Sequence, residues 1–69
     1  MKISARNLLQ GKIKTITAGA VNAEVVVELP GGQEIVAVVT LSSVKSLGLH
    51  EGMDACAIIK ASNVMLGVE

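Results

Sequence analysis

Glycine and proline cut this chain at near-regular intervals. Gly19, Pro30-Gly31-Gly32, Gly48 and Gly52 leave only short segments between them, filled mostly with Val, Ile, Leu and Ala. Short aliphatic segments between turn residues point to an all-β barrel or sandwich. The first long strand is expected over Leu8 to Ala18, with Gly11 inside it marking a bulge or bend. Gly19-Ala20-Val21 turns the chain. Over Asn22 to Leu29 the pattern alternates: Ala23, Val25, Val27 and Leu29 share one face, and Asn22, Glu24 and Glu28 the other. Pro30-Gly31-Gly32-Gln33 makes a hairpin connection, since glycine accepts positive φ.

Glu34 to Thr40 returns as a strand apolar on both faces, so two layers must cover it. Thr40 to Gly48 reads as one short helix. Thr40 or Ser42 caps it, Val44 and Leu47 face inward, and Gly48 ends it. Leu49-His50-Glu51-Gly52 is a turn. Asp54 to Lys60 is a further strand apolar on both faces, Lys60 to Asn63 a corner, and Val64 to Val68 a last strand. The pattern predicts a five-stranded, OB-fold-like Greek-key barrel with one short helix between the third and fourth strands.

Sixty-nine residues make one domain, spanning 1–69. A chain this short buries only roughly 60% of its unfolded surface. Yet 51% of it is hydrophobic, without one Phe, Tyr or Trp. That much aliphatic side chain needs more interior than one copy supplies, which predicts an oligomer sharing its core. Cys56 is the only cysteine and lies in the apolar run Ala55 to Ile59, the setting of an inert structural thiol. A single unpaired cysteine, and an N-terminus with no apolar signal core, fit a reducing cytoplasm. No apolar run approaches the ~20 residues of a membrane span.

No catalytic constellation is visible. One histidine, His50, and one distant cysteine do not make a metal site. Ser43, His50 and Asp54 form a triad only on paper, so the chain is not expected to be an enzyme. Gly31-Gly32 lacks the lysine and following helix of a phosphate loop. Two clusters stand out instead. Ser4, Arg6 and Asn7 offer hydroxyl, guanidinium and amide donors within four residues, and Lys60-Ala61-Ser62-Asn63 repeats the theme near the other end. Each alone reads as a solvated strand end or turn. Together, donors without a nearby carboxylate are what a tetrahedral oxyanion requires. Backbone N–H groups of the Gly19-Ala20-Val21-Asn22 turn add to them as a nest.

Several motifs now stand in order: Ser4-Ala5-Arg6-Asn7 followed by Leu8 and Gly11, Ile16 with Gly19-Ala20-Val21-Asn22-Ala23-Glu24-Val25, Leu47-Gly48-Leu49, Glu51-Gly52, and Ile58-Ile59-Lys60-Ala61-Ser62 with Val64-Met65-Leu66. In this order they resemble the molbindins, the molybdenum-pterin-binding-protein (Mop) family, whose domain is also known as TOBE. The resemblance spans nearly the whole chain. It implies an OB-like fold assembled as a homohexamer, a trimer of dimers, that binds molybdate, and commonly tungstate, at subunit interfaces. It places Ser4 and Arg6 at the oxyanion. It adds Lys60, Ala61 and Ser62 from a neighbouring subunit, Ala20, Val21 and Asn22 through backbone groups, and Thr40 at the strand-to-helix junction. It also implies oxyanion sites near the threefold axis, which the motifs do not place; His50 is a guess for them and not part of any matched motif.

With no DNA-binding or ATPase module, the chain looks like a stand-alone binder for intracellular molybdenum storage or homeostasis. A pterin would find no aromatic ring to stack on. The second reading is an oligomeric OB-like interaction module that binds RNA or a protein partner. Zero net charge and the lack of aromatics argue against nucleic acid.

Overall fold

One strand serves two ladders. In the computed structural model, which describes residues Met1–Glu69, β1 (Asn7–Ala18) pairs antiparallel with β4 (Asp54–Ile59) through its first half. Its second half pairs with β2 (Asn22–Glu28), and β2 pairs in turn with β3 (Glu34–Thr40). The sheet order is β3-β2-β1-β4. The register of β1 on β2 shifts between Ile13 and Thr15, a bulge that curls the sheet. A single helix, α1 (Leu41–Leu47), connects β3 to the segment before β4, and one 3-10 turn (Ala61–Asn63) follows β4.

Local chemistry accounts for these boundaries. Gly31 and Gly32 take φ of 103° and 90° in the hairpin between β2 and β3, where a side chain would strain the backbone. Thr40 caps α1: its Oγ1 accepts from the Ser43 N–H at 3.0 Å. Gly48 ends the helix in the left-handed region at φ 64°, with its N–H directed to Lys45 O and the Leu49 N–H to Val44 O.

The alternation expected in β2 is present. Ala23, Val25 and Val27 are buried with Ile13, and Ile16, Leu29, Val39 and Met53 pack around them. Ile13, Ala23, Val25 and Val27 are the only buried residues of 69. The aliphatic excess therefore stays outside. Val36 and Val38 on edge strand β3 are 59% and 67% exposed. Beside the core residues Ile13, Val25 and Val27, an apolar trough runs between Ile35, Val39, Leu47, Ala55, Cys56 and Ile59. Cys56 is half-buried there rather than enclosed. Leu47, expected to face inward, borders this trough and is 66% exposed, because nothing within one chain fills it.

The expected fifth strand is absent. The sheet has four strands, and Val64–Val68 forms no ladder. A strand forms only by pairing along an edge, and this tail pairs with neither edge of its own sheet. Met65, Leu66 and Val68 are more than nine-tenths exposed. The sheet remains open, with β3 and β4 as free edges. No helix is long and apolar enough to cross a membrane.

Candidate functional site

The antiparallel pairing of β1 with β4 brings the two ends of the chain together. Asn7 opposite Ile59 is the last pair of that ladder. One residue beyond it, Arg6 and Lys60 leave the sheet side by side. They enter a single cavity with Ser4, Ser62 and Asn63, floored by Ala5, Ile58 and Ala61. The corner expected from a neighbouring subunit thus stands beside Ser4 and Arg6 of its own chain. After Lys60 the 3-10 turn closes through Asn63 N–H to Lys60 O at 2.9 Å and Val64 N–H to Ala61 O at 3.3 Å. That turn holds the Ser62 and Asn63 side chains beside the Lys60 stem. Ala61 has only its backbone N–H to offer.

The electrostatics are one-sided. The ion pairs of the molecule are Lys12–Asp54, Lys14–Glu28 and Lys14–Glu34, all on exposed strand surface. Arg6 and Lys60 take part in none of them, and no acidic residue lines the cavity. Two cations, two hydroxyls and an amide therefore face an open space without a carboxylate to neutralise them. Charged donors of this kind make the shorter and stronger hydrogen bonds to an anion.

The other expected residues gather elsewhere. Ala20, Val21 and Asn22 lie past the far end of β1, twelve residues from the cavity's side of that strand. Thr40 joins them, opposite Asn22 in the β2–β3 ladder, and the Leu41 N–H binds Val21 O at 2.9 Å. Within that turn the Gly19 N–H is engaged by Asn22 O, whereas the N–H groups of Ala20 and Val21 make no bond inside the chain. The single O–H donor of Thr40 is spent: the hydroxyl donates to Ser43 Oγ at 2.9 Å and accepts from Ser43 N–H. One chain thus carries two poles, a cationic cavity and a backbone-donor turn, and does not bring them together.

His50 lines neither. Its backbone N–H donates to Met53 Sδ at 3.2 Å, and its Nδ1 lies 3.1 Å from Gly48 O. The paper triad fails on contacts already made, since Ser43 is tied to Thr40, His50 to Gly48 and Asp54 to Lys12. No group of three or more His, Cys, Asp or Glu side chains is placed to hold a metal ion. Asn63, the last residue of the Lys60-Ala61-Ser62-Asn63 cluster and not among the residues that the resemblance places at the oxyanion, also lines the cavity. Asn7 ties the ladder end, its Nδ2 donating to Ile59 O at 3.1 Å.

A curled antiparallel sheet with a capped helix and a carboxylate-free donor cavity at one pole defines a small all-β ligand-binding domain. The chain belongs to the TOBE domain family, whose model matches residues 3–66, and within it to the molybdenum-pterin-binding (Mop) proteins. It is 52% identical, over the full length of both chains, to a probable molybdenum-pterin-binding protein of Haemophilus influenzae. It superimposes on MopII of Clostridium pasteurianum with a TM-score of 0.92, at 43% identity, covering 97% of this chain and all of that one. The TM-score is 0.96, at 56% identity, against the cytoplasmic molybdate-binding protein ModG with molybdate bound, where all of this chain matches 49% of that one.

Proposed function

We propose that this chain binds molybdate, and tungstate by the same chemistry, in the cavity between Arg6 and Lys60. The observation that carries this is the convergence of those two unpaired cations with Ser4 and Ser62 where no carboxylate intrudes. A doubly charged tetrahedral oxyanion offers four acceptor oxygens to such a set. The likeness to molybdate-binding relatives supports the choice of ion.

The same reading extends to assembly. The backbone-donor turn at Ala20, Val21 and Asn22, with Thr40 behind it, meets the cationic cavity of a neighbouring copy and completes the site at an interface. The unpaired Val64–Val68 tail becomes the fifth strand of an OB-like barrel once a second copy supplies an edge. A homohexamer, arranged as a trimer of dimers, satisfies both demands and covers the exposed aliphatic trough. The chain acts as one domain over 1–69, as a binder and not an enzyme, in the cytoplasm, holding molybdenum in store.

Native mass spectrometry with added molybdate tests it. Mass steps of one oxyanion each on a hexamer are the expected result. A chain that stays free of oxyanion at millimolar molybdate would overturn the proposal.

A further inference from the structure

We infer that Asn7 is a positioning residue of the oxyanion cavity, setting the gap between Arg6 and Lys60 without touching the ion. This rests on the molybdate reading above. Asn7 and Ile59, 52 residues apart in sequence, form the final cross-strand pair of β1 and β4. The half-buried carboxamide adds a side-chain hydrogen bond to that pair, Nδ2 to Ile59 O at 3.1 Å. The residues that immediately leave the pair are Arg6 on one strand and Lys60 on the other.

A ladder end is where strands fray, because the last pair has neighbours on one side only. An extra bond at that point fixes the spacing of the two strands as they enter the cavity. It also explains the residue type. Asparagine is depleted in strands, yet its amide is a donor that can reach a neighbouring carbonyl. An ionised aspartate only accepts, and at this position it would place a carboxylate beside Arg6. The carboxamide, committed to Ile59, is absent from the cavity lining.

The consequence concerns discrimination. Sulfate has the charge and shape of molybdate, so charge cannot separate them and cavity size must. Size selection requires donors held at a fixed separation. Loosening the Arg6–Lys60 gap therefore weakens molybdate binding and lets the smaller ion compete better.

The test is calorimetric titration of molybdate and of sulfate into the assembled wild-type protein and Asn7→Ala, with melting curves for both. Asn7→Thr, which suits a strand and keeps a shorter donor, takes the place of Asn7→Ala if that variant does not fold. The expected result is molybdate affinity about threefold to tenfold lower, the worth of one hydrogen bond, with a smaller loss for sulfate, so that the affinity ratio falls. Equal losses for both anions would make Asn7 a direct ligand or a purely structural residue and overturn the inference. Unchanged affinities and ratio would overturn it while leaving molybdate binding intact. Absence of molybdate binding in the wild type would overturn both.

Discussion

A Cβ placed on Gly11 would stand 2.5 Å from the carbonyl oxygen of Glu28 and 2.8 Å from Cγ1 of Val27. Gly11 sits where β1 passes from the β4 ladder to the β2 ladder. The obstacle includes backbone, which cannot swing aside. Gly11→Ala is expected to destabilise the protein by about 1–3 kcal/mol, the usual cost of overpacking. A fall in the denaturation midpoint checks it, and an unchanged midpoint would mean the crossing is looser than its geometry.

Thr40 separates a structural role from a binding one. The one O–H donor of its hydroxyl goes to Ser43 Oγ, and its oxygen accepts from the Ser43 N–H. Thr40→Ala should therefore cost about 1 kcal/mol of stability through loss of the cap, and Thr40→Ser should restore it. Molybdate affinity, titrated well below the melting temperature, should stay within about twofold of wild type, since a hydroxyl already spent on a cap contributes less than one net hydrogen bond to a ligand.

Much of the fold is legible in the sequence itself. The β2 alternation, the Gly31-Gly32 hairpin and the Thr40-to-Gly48 helix follow from period and capping chemistry, which are local. Each of these elements is a few residues carrying its own instruction. The tail is not legible, because Val64–Val68 has strand composition but pairs with neither edge of its sheet, and pairing is a property of two strands. The inward face assigned to Leu47 failed for the same reason, as it borders a trough one chain leaves unfilled. For the site, donor chemistry marked Ser4, Arg6, Lys60 and Ser62. Only the Asn7–Ile59 register puts them in one cavity. The resemblance had assigned Lys60 to a neighbour, and no local pattern in the sequence decides between the two.

Arg6 and Ser4 share the cavity but not the strength of their bonds. Hydrogen bonds to a charged group are worth about 1.5–3 kcal/mol and neutral ones about 1. Arg6→Ala should therefore weaken molybdate binding by about tenfold to a hundredfold, and Ser4→Ala by about fivefold. Calorimetric titration of both variants decides the order, and a larger loss at Ser4 would mean Arg6 is merely solvated.

The exposed ion pairs set a weak dependence on pH. The hydrogen bond from Lys12, and then its charge, hold the Asp54 carboxyl below its ordinary 3.8. Its contribution is present above 3.8 and is lost as pH falls through the depressed value. The hydrogen bond to Glu34, and then its charge, raise Lys14 above its ordinary 10.5, so that contribution is present below 10.5 and is lost as pH rises through the raised value. Neither pair is shielded from water, so both are screened by salt. The small difference in melting temperature between wild type and Asp54→Asn should shrink as pH drops below 3.8. It should also vanish at neutral pH in about 1 M salt, where the screening length is near 3 Å. A gap that survives high salt would mean the pair is less solvated than its exposure indicates.

Molybdate itself should stabilise the protein. Arg6 and Lys60 line one cavity that holds no carboxylate and join no ion pair, so a dianion bound there meets two free cations. Because an unfolded chain has no such cavity, binding shifts the equilibrium by mass action. The gain is about 2.7 kcal/mol at a free concentration one hundred times the dissociation constant. The melting temperature should rise with each tenfold increase in molybdate. In Lys60→Ala the rise should begin only at higher molybdate, since one of the two cations is gone. Equal shifts in wild type and Lys60→Ala would place the bound ion away from this cavity, and no shift in the wild type would deny the linkage altogether.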